Sequence, residues 1–162
     1  MADAYEPAEV YVGLRGQALA VTRELLDPET ASAGPLVALL METGYPEAVA
    51  TLVGLADGTT SMYFSNGGGM IGAGQHEDVA AATRRWLELG EQALDRLPEA
   101  AVEVHLPDEG MTQLVAVTET GRRAARAPEE ELGGGGHPLS ALFYAGHDVI
   151  TAIRLVDEGA AG

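Results

Sequence analysis

The sequence predicts an α+β protein in which an antiparallel sheet of about five strands is flanked by helices. Five segments are strand-like: 47–55, 59–65, 101–106, 111–117 and 122–126. The first two flank Asp57-Gly58, a dipeptide typical of a hairpin turn. Residues 77–96 place their apolar side chains at helical spacing. Every strand connection except the one that crosses this helix is therefore predicted to be a hairpin.

The chain divides into an N-terminal part, residues 1–34, and a single α+β domain, residues 35–158. Apolar residues recur near the helical period of about 3.6 over 8–26, which predicts an amphipathic helical extension. Two glycines weaken that pattern, and a short strand at 9–14 is the alternative. The turn-forming stretch 27–34 then reads as a linker.

Three helices are predicted within the domain. Pro35 in a first turn and Gly44 as a stop predict a short leucine-rich helix over 35–43. Helix 77–96 has an apolar face that contains the single tryptophan, and a final helix with a similar face begins at Pro138. Both of these longer helices are polar on their other side.

The later strands carry different signals. Segment 101–106 alternates most clearly, with valines and a leucine inward and Glu103 and His105 outward. The arginine-rich segment 122–126 reads as a polar edge strand.

This order of elements resembles the roadblock/LC7 (longin-like) family over residues 35–156. The nearest local likeness lies at 36–65, where a leucine-rich helix runs through Gly44 into an apolar strand, a tight turn and a polar return strand. The resemblance implies the order α-β-β-α-β-β-β-α, preceded here by the N-terminal extension. It also implies a homodimer with a continuous sheet, acting without catalysis as a scaffold or regulator of a small Ras-like GTPase. Helix 77–96 or the edge strands would form the self-association surface.

Composition limits the partners. The 162 residues carry a net charge of −16, which disfavours nucleic acid and anionic membrane surfaces and permits a basic protein partner. The simpler interpretation of the acidity is solubility. No apolar run approaches the roughly 18–20 residues of a membrane span, and the first residues lack the pattern of a signal peptide, so we expect a cytoplasmic protein.

Missing residue types exclude several chemistries. The chain has no cysteine, which excludes thiol nucleophiles, disulfides and thiolate zinc sites. All nine basic residues are arginine, so Schiff-base chemistry and a Walker A lysine are excluded as well. Lysine-free, alanine-rich usage indicates a GC-rich bacterial genome. We expect no cofactor.

The glycine-rich loop 66–76 holds the most suggestive motif. Gly67, Gly69 and Gly72 form G-x-G-x-x-G between a predicted strand and a predicted helix, the context in which glycines cradle a pyrophosphate. Against this, the strand alternates polar and apolar residues, and two acids in the first helical turn would repel a phosphate. We interpret the loop as a sharp backbone connection. The alternative is a small ligand-binding or nucleotide-binding domain that uses these glycines and His76.

Other candidate sites are weaker. None of the four histidines, His76, His105, His137 and His147, has a recognised metal-ligand spacing. No serine lies in G-x-S-x-G, and a scattered triad of His105 with Ser65 or Ser140 has only chance support. We predict no catalytic residue and no metal site.

Candidate partner-binding residues are few. Arg122, Arg123 and Arg126 form the densest cationic cluster, which either protects an edge strand from unwanted pairing or contacts an acidic partner or a phosphate. Trp86 belongs to the core or to a dimer interface.

Together these patterns favour a non-enzymatic, dimeric regulatory or scaffold protein. Two alternatives stay open: a ligand-binding domain or enzyme that uses loop 66–76, and an acidic immunity or chaperone-type protein that binds a basic partner.

Overall fold

A computed structural model describes residues 5–70, 72–100 and 103–161. The strands are β1 (Leu36–Gly44), β2 (Val49–Leu55), β3 (Thr60–Phe64), β4 (Gly69–Met70), β5 (Met111–Thr118) and β6 (Gly121–Pro128). They form one sheet in the order β4-β3-β2-β1-β5-β6, and every neighbouring pair is antiparallel. The helices are α1 (Glu9–Leu19), α2 (Glu77–Gln92), α3 (Glu129–Gly133) and α4 (Ser140–Ala161). The predicted α+β class with an antiparallel sheet is confirmed, with six strands rather than about five.

Residues 36–44 form the central strand β1, so the prediction of a short helix over 35–43 is wrong. All nine residues of β1 are buried. Helices α2 and α4 cover one face of the sheet, and α1 lies over the other face. A strand covered on both sides shows no polar alternation, and a short apolar run cannot be told from a buried helix by its period.

The strand predicted at 101–106 is wrong for its described residues, 103–106, which form no strand. The first two residues of that range lie outside the described chain. Val104 and Leu106 are nevertheless half-buried against the sheet, and the residues before each of them are exposed. Burial therefore alternates as in a strand, although the segment crosses the sheet face instead of pairing within it.

Several local predictions are confirmed. The β2–β3 hairpin turns at Gly58, whose φ of +92° is the positive value expected of the Asp-Gly turn. Within the predicted helical extension 8–26, residues 9–19 form an α-helix rather than a strand, but the α-helix does not continue to residue 26. Helix α2 lies within the predicted range 77–96, and the last helix begins two residues after Pro138. The roadblock-like order is not confirmed, because four strands precede α2 and two follow it.

The main core lies between the sheet and the pair α2 and α4. Trp86 of α2 is fully buried there. Gly54 of β2 lets α2 approach closely, since a Cβ atom at this position would lie 2.9 Å from Thr83 and 3.1 Å from the Trp86 ring. A smaller apolar cluster joins α1 to the opposite face of the sheet through Tyr11, Ala18 and their neighbours.

Both edges of the described sheet are short or covered. Strand β4 has only two residues. On the other edge, the Ala100 N–H donates to the Arg122 carbonyl at 2.9 Å, and the Ala124 N–H donates to the Pro98 carbonyl at 2.9 Å. Such edges leave little free strand for pairing with a second copy.

Candidate functional site

A row of polar side chains crosses the sheet beneath α1. The strand register places Tyr63, Thr51, Glu42, Gln113 and Arg126 directly opposite one another on five neighbouring strands. Residues opposed in this way project from the same face of a sheet. The carboxylate at the centre of this polar row belongs to a side chain with 0% exposure, which is unusual for a charged residue.

Glu42 receives four hydrogen bonds, two on each carboxylate oxygen. Arg15 of α1 donates from Nε to Oε2 at 2.6 Å and from Nη2 to Oε1 at 2.8 Å. The Thr51 hydroxyl donates to Oε2 at 2.9 Å, and Gln113 Nε2 donates to Oε1 at 2.9 Å. The buried charge is therefore both paired and hydrogen-bonded, the condition under which a buried carboxylate is tolerated.

The same network holds two covering segments against the sheet. Arg15 Nη2 also donates to the Val104 carbonyl at 2.8 Å. Because Thr51 Oγ1 donates to Glu42, the Tyr11 hydroxyl is the donor in its 2.7 Å bond to Thr51. Through these bonds, Glu42 positions both α1 and the segment 103–106.

Arg126 extends this network to the sheet edge. Its Nε donates to Gln113 Oε1 at 2.5 Å, and its Nη2 donates to the His105 carbonyl at 2.6 Å. Gln113 Nε2 also donates to that carbonyl, at 3.0 Å. Arg126, a candidate partner-binding residue, is thus engaged within the chain.

Burial and the charge of Glu42 shift the pKa values of two groups in this network. Burial raises the pKa of the Tyr11 phenol, and the charge of Glu42 raises it further, so the phenol keeps its proton. Burial alone would lower the pKa of Arg15, but the hydrogen bond and charge of Glu42 outweigh this and raise it. With its acceptor positions filled, Glu42 is placed to hold structure rather than to transfer protons.

Around α1 the surface is apolar and grooved. Val10 and Val12 of α1 are 59% and 53% exposed, and Leu25 in the following turn is 75% exposed. A cavity of 420 Å³ separates α1 from β2 and β3, and another of 310 Å³ lies between α1 and residues 104–106. We call this region, with its two grooves, the α1 surface.

The glycine-rich loop packs beside the other end of α1. Gly67, Gly69 and Gly72 have φ values of +107°, +156° and +76°, a region that favours glycine. Gly69 pairs with Tyr63 as part of β4, and a Cβ atom there would collide with the Met62 carbonyl. Two cavities adjoin Gly69. The one on the α1 side measures 130 Å³, well below the roughly 300–1,000 Å³ of typical ligand pockets, and the one between β4 and α4 measures 310 Å³, at the lower end of that range.

The remaining predicted partner-binding residues do not form one patch. Arg122 lies on the α1 side of β6, in register with Val117, whereas Arg123 projects toward the opposite side. Arg123 Nη1 donates to the Leu97 carbonyl at 3.0 Å. Trp86 is buried in the core, and its indole N–H has no hydrogen-bond partner among the residues that the structure describes.

The histidines and serines raised as candidates are dispersed. His76 is exposed at the start of α2, and His105 is exposed on the segment that crosses the sheet. The Ser65 Oγ accepts from the Val49 N–H at 2.8 Å, and the Ser140 Oγ donates to the Leu132 carbonyl at 2.8 Å. Both hydroxyls therefore serve local structure.

His147 of α4 is half-buried beside Phe143. Its ring lies 4.4 Å from that of Phe143, and its Nε2 is buried without a partner within the described chain. Burial lowers its pKa below 6.5, against the opposing charges of Glu129 and Asp148.

Across the described ranges, no group of three or more histidine, aspartate or glutamate side chains is placed to hold a metal ion. In the same part of the chain, no helix has the length and apolar character needed to cross a membrane. Comparison of the chain with protein-family models, curated proteins and solved structures found no match.

Proposed function

We propose that the chain is a non-enzymatic regulatory or scaffold protein that binds another protein on the α1 surface. One observation carries this proposal. The described chain has six exposed large hydrophobic side chains, and three of them, Val10, Val12 and Leu25, lie on α1 and the turn that follows it. These three side chains line three different cavities around α1, so exposed apolar area extends along the whole helix, as is typical of protein interfaces.

The chemistry of the polar row supports binding rather than catalysis. Its carboxylate is enclosed by four donors, and its outermost arginine is bonded to main-chain carbonyls. A general base needs an open acceptor next to a substrate cavity, and Glu42 has neither. The network instead fixes α1 in the position that forms the two grooves.

Charge favours a basic partner. With a net charge of −16, the protein would attract a positively charged surface and accelerate encounter with it. This supports the chaperone-type form of the proposal, in which an acidic protein holds a basic one. The resemblance to the roadblock family adds two further hypotheses, a small GTPase as the partner and a homodimer. The sheet edges are short or covered, and the apolar face of helix 77–96 is buried in the core. We therefore place dimer formation, too, on the α1 surface.

A pull-down with the tagged full chain tests the proposal. We expect the wild type to capture a specific protein from lysate of the source organism and the double variant Val10→Ser/Val12→Ser to lose it. Leu155→Ser is the matched control, because Leu155 is 62% exposed on α4. Equal capture by the double variant and the control, or no specific capture at all, would contradict the proposal.

Two additional experiments test the GTPase and homodimer hypotheses. Repeating the capture with and without a GTP analogue identifies a nucleotide-dependent GTPase, if one is the partner. Light scattering measures the molar mass of the wild type and of the double variant, and the homodimer hypothesis predicts a dimer for the wild type only. A wild type that is monomeric at micromolar concentration would contradict the homodimer. It would not bear on partner binding, which the pull-down tests.

A further inference from the structure

We infer that the 420 Å³ groove between α1 and β3 binds a short segment of the partner in which an apolar side chain lies next to a basic one. This inference rests on the proposed function and assigns the chemistry of the bound segment. We call this cavity the β3 groove.

The size and lining of the β3 groove suit an apolar anchor. Its volume falls within the roughly 300–1,000 Å³ of sites that enclose a ligand. Val53 and Leu55 of β2 form part of the floor, and Leu14 and Ala18 of α1 form a wall. Leu25 also lines the groove and is 75% exposed, so an incoming apolar group would cover it.

The floor also offers polar groups to a peptide backbone. Thr59, directly before β3, and Ser61 and Tyr63 within β3 line the groove at alternate positions. Their hydroxyls can each donate and accept a hydrogen bond. A segment lying along β3 could thus satisfy its main-chain groups while its side chains enter the apolar part.

The rim beside Leu25 is acidic. Glu24, Asp27 and Glu29 are exposed in the turn after α1. Asp57 of the β2–β3 turn joins them, since its Oδ2 accepts from the Asp27 N–H at 3.1 Å. Burial would raise the pKa of Asp57, but hydrogen bonds from Thr59 and the backbone outweigh it and lower the pKa, so this carboxylate stays charged.

Two arginines lie near these four carboxylates and leave the rim negative. Arg84 of α2 lies beside Gly58, where a Cβ atom would be 3.3 Å from its guanidinium, and Arg23 is bonded to other groups. Arg23 Nε bonds to Glu119 at 2.7 Å, and its Nη1 donates to the Ser32 carbonyl at 2.7 Å. The rim therefore complements a cation.

A second copy of this chain would bring its own net charge of −16, so a dimer contact on the α1 surface would use Val10 and Val12 rather than the β3 groove. An anionic lipid surface would be repelled.

The test is a selection of phage-displayed random peptides on the immobilised full chain, at low and at high salt. We expect enriched sequences with leucine, isoleucine or phenylalanine close to arginine or lysine, and stronger enrichment at low salt. Enrichment of sequences without basic residues, or no enrichment above a blank surface, would overturn the inference.

Affinities of the most enriched peptide, measured by fluorescence anisotropy, locate the site. Leu25→Ser should weaken binding about tenfold, the effect of losing one well-packed anchor contact. The double variant Glu24→Gln/Asp27→Asn should weaken binding by about threefold and reduce its salt dependence. Leu155→Ser on α4 is the control and should bind like the wild type. Unchanged affinity of Leu25→Ser would overturn the assignment to the β3 groove.

The outcomes separate this inference from the proposed function. Val10 and Val12, which the pull-down tests, do not line the β3 groove. If the pull-down depends on them and the peptide experiment fails, only the assignment of the β3 groove is lost. If both fail, the proposed function fails with it.

Discussion

Replacing Arg15 with methionine tests whether the buried ion pair holds α1 on the sheet. The substitution removes the cation and keeps an unbranched side chain. Arg15 supplies two of the four hydrogen bonds to Glu42, which has 0% exposure. After the substitution, a buried carboxylate would have lost its counter-charge and half of its donors.

The expected cost follows from that burial. Removing one partner of a buried pair typically costs about 3–5 kcal/mol. The Arg15 side chain is 14% exposed, so some water can reach the vacated position, and we expect the lower end, about 3 kcal/mol. For a chain of this length the melting temperature should fall by about 6–12 °C.

The assay is urea unfolding followed by the fluorescence of Trp86, the single tryptophan, together with hydrogen exchange of residues 9–19. Exchange is needed because α1 can detach locally without unfolding the core around Trp86. Whether α1 detaches locally or the whole chain unfolds, Arg15→Met should speed the hydrogen exchange of the α1 amides.

A double variant checks the electrostatic reason. Adding Glu42→Gln to Arg15→Met removes the charge that lacks a partner, so the double variant should be more stable than the sum of the two single effects predicts, by at least about 1 kcal/mol. If Arg15→Met changes the free energy of unfolding by less than about 0.5 kcal/mol and leaves the hydrogen exchange of α1 unaltered, the ion pair does not hold α1 on the sheet.

Further predictions concern the glycines and the half-buried His147. Gly69→Ala should lower the free energy of unfolding by about 1–3 kcal/mol, because its φ is +156° and a methyl group would collide with the Met62 carbonyl of β3. Gly68→Ala, the matched control, should change the free energy of unfolding by no more than about 0.5 kcal/mol. Equal melting temperatures for these two variants would contradict a structural role for the loop. Gly54→Ala should cost about 1–3 kcal/mol through overpacking against α2, while Gly16→Ala, with open space around it, should stabilise α1 by up to about 1 kcal/mol in urea unfolding. Since the pKa of His147 is lowered, the unfolded chain takes up a proton that the folded chain does not as the pH falls through about 6.5. Stability should therefore decrease from about pH 7 to about pH 5, and His147→Gln should flatten the dependence measured by urea unfolding at each pH.

Elements with local signals could be predicted from the sequence. The β2–β3 hairpin follows from Asp57-Gly58, and α2 follows from one apolar face. Strand β1 could not be predicted, because its burial on both faces depends on helices that are distant in sequence. The strand prediction for segment 103–106 was wrong for a related reason. A segment that lies against a sheet face alternates between half-buried and exposed residues even when it does not pair as a strand.

The polar row could not be found from sequence spacing. Glu42 lies 27 residues from Arg15 and 71 residues from Gln113, and only the strand order and register bring the three together. The sequence did indicate that Glu42 is unusual, because this charged residue directly follows the apolar run of β1. Such a residue in a central strand requires a partner, but the sequence does not say which one.

The most direct test of the account is hydrogen exchange of the full chain with and without its captured partner. We predict that partner binding slows hydrogen exchange at residues 10–25 and 59–63, which belong to the α1 surface and its β3 groove. Protection confined to α4 or to the glycine-rich loop 66–76, with α1 unaffected, would contradict the account.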